Sequence, residues 1–269
     1  MGNRFYAEGE ARAAKVNDLF ARIAPRYDLI NDLQSFGLHR LWKRKLLRLA
    51  DPAPGKRALD LCCGTGDVAF ALARAGCDVT GLDFSAEMLA VAERREIAAG
   101  KLEIGNCRFL RGDAQELPMA DGSFDIVTIS YGLRNLADLD RGLAEMKRVL
   151  KPGGRALVLD FGKPDNAAWR ALYFGYLRWF VPLFGRLFCG DAATHAYILE
   201  SLHRYPGQRG VEERMRAAGF INTRIVNLLG GVMSINVGEC AISHRHQNQV
   251  VSRRAEPTPG PSQEGSGRF

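Results

Sequence analysis

The chain has 269 residues, 46% of them hydrophobic and 25% charged, an ordinary globular composition long enough for one large core. Its six cysteines include no CxxC pair and no zinc-like spacing with histidine, and the opening MGNRFYAEGEARAAKVNDLF has no apolar run of the signal-peptide kind; a cytoplasmic protein with reduced thiols and no metal is expected. The net charge of +7 favours acidic partners, but the basic residues are not gathered into one block, so nucleic acid binding has little support.

In chain order, residues 10–50 read as helical and include the aromatic and basic cluster FGLHRLWKRKLLRLA. From Ala58 strand-like and helix-like segments alternate. ALDLC is a short apolar strand, DVAFALARAG a helix stopped at Gly76, DVTGLDF a strand, SAEMLAVAERREIAAG a helix capped by Ser85, and CRFLRGD a strand. FDIVTISY is a fourth strand, LADLDRGLAEMKRVL a helix that runs into Lys151-Pro152-Gly153-Gly154, and RALVLDF a fifth strand. An aromatic-rich insertion at 165–205 precedes a helix, EERMRAAGF, and two strands, INTRIVNLLGG and MSINVGECAIS. The predicted architecture is α/β, a doubly wound and mostly parallel seven-stranded sheet. Residues 1–246 read as one domain, and the Pro-, Gly- and Ser-rich stretch 247–269 as a disordered tail.

The strand-to-helix turn CCGTGD raises the question of its ligand. Gly64 and Gly66 permit close backbone approach, and Gly64-x-Gly66-x-x-Ala69 also fits a dinucleotide fingerprint. Charge argues against a dinucleotide: Asp60 and Asp67 flank the turn, and a pyrophosphate between them would be repelled. A ligand with an ammonium and a sulfonium, S-adenosylmethionine, suits the same place. Asp83 at the end of the second strand is placed for ribose hydroxyls, and Asp113, in Gly112-Asp113-Ala114, for an adenine amino group. Cys62 occupies a slot where a glycine is common, and Cys63 is expected to pack small and buried. With no third ligand or base beside them, the pair is not read as reactive.

Together, DLCCGTGDVA, GDAQELPMADGSFDIV and RVLKPGG resemble class I S-adenosylmethionine-dependent methyltransferases. FARIAPRYDLINDLQSFGLHRLWK (20–43) and ISYGLRNLADLDRGLAEMKRVLKPGGR (129–155) narrow the resemblance to the quinone-biosynthesis C-methyltransferases acting on demethylmenaquinol and its benzoquinol counterparts. The similarity runs from about residue 15 to 243; the loop departs from the family's usual form in placing Cys63 where a glycine is common, and GGVMSINVG replaces a more usual histidine-containing ending. The resemblance implies cofactor contacts at Thr65, Asp83, Asp113, Ala114 and Ser130, beside Asp60, Gly64 and Gly66 of the turn. YGLRN lies just past the end of the fourth strand, on the side where an open α/β sheet faces its ligand crevice, so Tyr131, Arg134 and Asn135 are expected at the acceptor, with Arg134 stabilising a quinolate oxygen and Asn135 holding the second, against the alternative that Arg134 merely pairs with a neighbouring acid such as Asp138. Tyr27 and Asn31 are expected to close the pocket over the substrate.

The substrate so implied is a polyprenyl quinol with a long apolar tail. WRALYFGYLRWFVPLFGRLF (169–188) is punctuated by Arg170, Arg178 and Arg186 and interrupted at Pro182, so it is not expected to span a bilayer. It is expected either to line a tail groove or to rest peripherally on the inner membrane surface, against the alternative of internal packing. Homo-oligomerisation is left open. A methyltransferase for another lipid or phenol would keep the cofactor residues without needing YGLRN, and a nucleic-acid methyltransferase is disfavoured by the lack of an NPPY-type motif.

Overall fold

The computed structural model describes residues 18, 20–100, 106–184, 201–202 and 204–242. Cys189 and the tail 247–269 lie outside the described residues.

Two helices, α1 (Tyr27–Ser35) and α2 (Leu38–Ala50), precede the sheet and are separated by Phe36 and Gly37, both in the left-handed region. The sheet elements then follow as β1 (Arg57–Leu61), α3 (Asp67–Arg74), β2 (Asp78–Asp83), α4 (Ala86–Ala99), β3 (Cys107–Arg111), β4 (Phe124–Ser130), α5 (Leu139–Val149) and β5 (Leu150–Phe161). Helix α6 (Ala167–Phe184), α7 (Gly207–Ala217), β6 (Ile221–Leu228) and β7 (Met233–Glu239) complete the described elements. Seven strands form one sheet in the order β3-β2-β1-β4-β5-β7-β6. The first five are parallel, and β7 runs antiparallel to both β5 and β6. The predicted doubly wound sheet is thus the one observed.

The central strands read as continuous apolar runs because both their faces are covered. Leu59, Leu61, Val127, Ile129, Leu157 and Leu159 are all fully buried there. Local signals set the helix starts: Ser85 Oγ accepts from the Met88 amide at the head of α4, and Asp138 accepts from the Arg141 amide at the head of α5.

Two local expectations are corrected. The fifth strand begins at Leu150 rather than at Arg155, so Lys151-Pro152-Gly153-Gly154 belongs to β5, with a register irregularity between Phe124 and Ile126 and backbone bonds from the Gly153 amide to the Cys240 carbonyl and from the Cys240 amide to the Gly154 carbonyl. Helix α6 continues across Pro182 rather than breaking there. Pro182 gives up the bond its missing N–H would have made to the carbonyl four residues back, yet the chain stays helical through Phe184. No helix among the described residues is long and apolar enough to cross a membrane.

The chain leaves β1 toward β2 and β3 on one side of the sheet and returns to β4 and β5 on the other. The carboxyl ends of β1 and β4 therefore bound a topological switch point, where an open α/β sheet presents its ligand crevice.

Candidate active site

A cleft of about 820 Å³, open mouth included, lies at that crevice. Its walls come from the segments following four strands: Cys62 and Gly64 after β1, Asp83, Phe84 and Ser85 after β2, Gly112 to Gln115 after β3, and Ser130 to Gly132 after β4. Phe20 and Tyr27 come from the N-terminal region, and Asn135 and Leu136 from the short 3-10 turn beyond β4. Of the residues singled out in the sequence, Tyr27, Gly64, Asp83, Asp113, Ala114, Ser130, Tyr131 and Asn135 line this one cleft. Asp60, Thr65, Gly66, Asn31 and Arg134 do not.

Backbone conformation explains the turn. Cys62 has φ +50° and so adopts the left-handed form expected of a glycine slot, while Gly66 has φ +88° and a Cβ there would lie 2.7 Å from the Phe70 ring. Cys63 is buried, as expected. Burial, with Asp83 and Asp60 nearby, pushes both thiols well above the ordinary cysteine range, so neither is a ready thiolate at neutral pH.

The argument from Asp60 and Asp67 is corrected by where their side chains point. Asp60 is fully buried beneath the turn, where it accepts from Thr128 Oγ1 at 2.7 Å. Burial raises its carboxyl to about 7, against the hydrogen bonds from Thr128 and the Ala69 amide. Asp67 faces the N-terminal helices instead. Its oxygens receive Lys43 Nζ at 2.8 Å and Arg95 Nη2 at 2.7 Å. Burial alone would raise this carboxyl, but Lys43 and Arg95 outweigh it and hold it at about 2. The acids that line the cleft are Asp83 and Asp113.

Asp60 and the partly buried Asp67 give opposite pH signatures. The folded Asp60 carboxyl at about 7 lies above its value in an unfolded chain, so its contribution to stability is present below about pH 4 and is lost as pH rises through 7. Asp67, lowered to about 2, contributes above about pH 4 and loses that contribution as pH falls toward 2. Asp60→Asn should therefore gain in melting temperature relative to the parent as pH is raised from about 5 to 8. A constant difference across that range in thermal scans would show that Asp60 does not titrate there.

Thr65 and Asn31 support the cleft from behind. Thr65 Oγ1 donates to Asp28 at 2.9 Å, and Arg95 Nη1 bridges Asp28 Oδ2 at 3.1 Å and the Thr65 carbonyl at 2.8 Å. The side-chain contact of Thr65 with a cofactor is thus replaced by a tie between α1 and the turn. Asn31 does not line the cleft; it lies beside the Tyr27 side chain and favours the ionised form of that phenol. Tyr27 in turn packs over the turn, so that a Cβ on Gly64 would lie 3.9 Å from its Cε1. Burial raises the Tyr27 phenol, opposed by the charge of Lys43 and by Asn31.

The Arg134 side chain also departs from expectation. It pairs with Asp160 at 2.9 Å, where the sequence suggested Asp138 as its structural partner, and it donates to the Tyr131 carbonyl at 2.6 Å. The direct contact with a quinolate oxygen expected of it is therefore not what this arrangement presents. Tyr131 itself lines the cleft with φ +60°, and burial pushes its phenol well above the usual range. Gly132 is required where it stands, because a Cβ would come within 2.5 Å of Cys62 Cβ.

The donor set fits S-adenosylmethionine. Asp83 accepts amides from Gly64 at 2.8 Å and Ser85 at 2.9 Å, which fixes the carboxylate and leaves further lone pairs for ribose hydroxyls. Burial pushes the Asp83 carboxyl up, while those amides oppose it. Asp113 is held by the Gln115 amide at 2.8 Å. Leu82, Phe84 and Met88 add apolar surface, and no Lys or Arg is among the described lining residues, so a pyrophosphate would meet two acids and no cation. Ser130 Oγ and Tyr131 Oη are buried with no hydrogen-bond partner among the described residues, as groups awaiting a ligand would be. Sequence reasoning missed Phe84, Ser85 and Gln115, which directly follow the strand-end acids and were legible from that adjacency. Phe20 and Met88 carried no such signal.

The comparisons with known proteins agree with this geometry. The chain resembles the ubiquinone/menaquinone biosynthesis C-methyltransferase UbiE of Cellvibrio japonicus at 41% identity over 232 residues, covering 85% of this chain and 92% of the relative. It resembles the demethylmenaquinone methyltransferase of Staphylococcus aureus (strain JH9) at 36% identity over 235 residues, covering 86% and 95%. Among solved structures, a SAM-dependent methyltransferase of Thermotoga maritima superposes with a TM-score of 0.58 at 20% identity, covering 82% of this chain and 98% of that one, which shows a shared fold. The sequence profile of the ubiE/COQ5 methyltransferase family matches residues 8–239, and the chain belongs to that family.

Proposed function

We propose that this protein catalyses S-adenosylmethionine-dependent C-methylation of a polyprenyl quinol ring in quinone biosynthesis, with demethylmenaquinol as the methyl acceptor. Beyond family membership, one observation carries the reading. A single cleft joins two fixed carboxylates, Asp83 and Asp113, to the tyrosines Tyr27 and Tyr131, whose phenols burial keeps protonated. A second reading, the benzoquinol step of ubiquinone biosynthesis, draws on the relative from Cellvibrio japonicus, whose name covers both quinones.

When bound, S-adenosylmethionine supplies an electrophilic methyl group on a positively charged sulfur. Asp83 and Asp113 hold the nucleoside part, with Ala114 and Ser130 beside them. The acceptor carbon becomes electron-rich when the neighbouring ring hydroxyl loses its proton. The Tyr27 and Tyr131 phenols stay protonated and serve as donors to a ring oxygen; the hydroxyl proton leaves to water at the open mouth of the cleft, and the hydrogen on the methylated carbon is released as a proton that returns to the ring oxygen when aromaticity is restored. Asn135, whose Nδ2 also donates to the Tyr131 carbonyl at 3.2 Å, is assigned to the second ring oxygen. Phe20, Phe84 and Leu136 exclude water, which favours transfer from a charged donor, and holding acceptor carbon and methyl about 3–3.5 Å apart supplies much of the rate.

The direct test is methyl transfer from labelled S-adenosylmethionine to short-chain demethylmenaquinol and to the matching benzoquinol, followed by mass spectrometry. A methylated naphthoquinol as main product supports the first reading, and a methylated benzoquinol alone transfers it to the second. Binding of NADH in preference to S-adenosylmethionine would remove both.

A peripheral site on an anionic membrane surface belongs to the same proposal. Helix α6 exposes Leu172, Trp179 (70%), Phe180 and Leu183, which argues against purely internal packing. Tyr176 Oη on α6 donates to the Gln34 carbonyl, joining this face to α1, where Phe36 is 73% exposed. Arg178 on α6 and Arg40, Arg44 and Arg48 on α2 are exposed as well. Apolar side chains interspersed with arginines suit an anionic interface. Flotation should find the protein on anionic liposomes at low salt and less of it at high salt. A protein wholly free of liposomes at low ionic strength would confine its role to the aqueous phase.

A further inference from the structure

Asp160, at the carboxyl end of β5, is 1% exposed and stands outside the cleft. Its Oδ1 accepts from Arg134 Nη1 at 2.9 Å and from the Phe161 amide at 2.8 Å, and its Oδ2 from the Arg134 amide at 3.2 Å. The same Nη1 of Arg134 donates to the Tyr131 carbonyl, so the carboxylate, the guanidinium and the peptide of the cleft tyrosine form one chain of bonds. Phe161 completes the support: the guanidinium lies 4.7 Å from its ring centroid, and its ring meets the Tyr131 ring edge-on. On the other side, the Tyr131 amide donates to the Leu159 carbonyl at 2.7 Å, and Gly132 abuts Cys62 of the cofactor turn.

This support has something to hold. Tyr131 is a non-glycine residue at φ +60°, a conformation that persists only where its surroundings over-determine it. Released from its carbonyl contacts, the peptide would relax toward a more common conformation, and the ring would move with it. Arg134 and Asp160 are both almost fully buried, pair with each other at 2.9 Å and stand outside the cleft. The pair is well suited to fixing a strained peptide.

We propose that Asp160 is a positioning residue for methyl transfer: through Arg134 it holds the Tyr131 peptide in its left-handed form and so places the Tyr131 hydroxyl toward the acceptor. This rests on the functional reading above, but one of its consequences, the immobility of residues 131–135, does not.

The experiment compares the parent protein, Asp160→Asn and the double variant Arg134→Met/Asp160→Asn. Asp160→Asn removes the carboxylate that Arg134 Nη1 meets at 2.9 Å and should melt lower; the double variant removes both charges of that pair and should regain most of that melting temperature. Turnover should fall about 100-fold in both, as expected for an acceptor misplaced by about 1 Å. Affinity for S-adenosylhomocysteine should hold, and amide exchange at Tyr131 and Arg134 should be at least roughly tenfold faster in both variants. A double variant that regains melting temperature and turnover together would make the pair merely structural and overturn the proposal. So would full turnover in a folded Asp160→Asn. If the parent binds S-adenosylhomocysteine yet methylates neither quinol, the functional reading fails, and exchange decides the positioning alone: faster exchange in the double variant upholds it, unchanged exchange overturns it.

Discussion

Tyr131→Phe should lower methyl transfer by roughly 10²- to 10³-fold while leaving S-adenosylmethionine affinity unchanged. The Tyr131 hydroxyl is buried at the cleft with no hydrogen-bond partner among the described residues, and burial keeps it protonated, so it is available to donate. A ring oxygen becomes more negative as its proton leaves, and a hydrogen bond to that oxygen then strengthens. The hydroxyl thus favours the electron-rich form of the acceptor more than the neutral quinol. Two accompanying results separate this role from a structural one. An unpartnered buried hydroxyl carries a desolvation cost, so its removal should leave the melting temperature unchanged or higher. Part of the lost turnover should also return at high pH, where the quinol ionises without help. Single-turnover kinetics across pH, with calorimetry for the cofactor, test all three. Full turnover in Tyr131→Phe, or a loss accounted for by weaker cofactor binding, would remove Tyr131 from the acceptor site.

Asp83→Ala should weaken S-adenosylmethionine by about 1–3 kcal/mol, roughly 5- to 150-fold, through loss of charge-assisted bonds to the ribose. The side chain does more than face the ligand. It accepts the amides of Gly64 and Ser85, so it also sets the spacing between the β1 turn and the head of α4. Its removal should therefore lower the melting temperature too. Because burial raises the Asp83 carboxyl, cofactor affinity should also fall on mild acidification sooner than an exposed aspartate would allow. Unchanged affinity in isothermal titration of Asp83→Ala would take the residue away from the ribose.

The parts of the site legible in the sequence share one property. Asp83 and Asp113 follow directly from strand ends, and in a doubly wound sheet the carboxyl ends all face the same crevice. Ser130 and Tyr131 close β4 in the same way, and Gly66 announces its turn through a conformation that side chains rarely adopt. Asp60 and Asp67 were misread for the opposite reason. Nearness to the turn along the chain says nothing about which side of the sheet a carboxylate points to. Asp60 turned inward to Thr128, and Asp67 outward to Lys43 and Arg95.

The order of residues alone determined the alternation of strands and helices, the cap at Ser85, and the acids at the strand ends, because each depends on neighbours a few positions apart. The tertiary structure alone decided the partners of the charged side chains. Arg134 met Asp160, 26 residues away, rather than Asp138 beside it; Thr65 met Asp28 across 37 residues; and Arg95 drew Asp67 out of the cleft. A buried charge must find its counter-charge wherever packing brings one. That requirement is met through space, so a residue's chemistry is written in the chain while its partner is settled only when the chain folds.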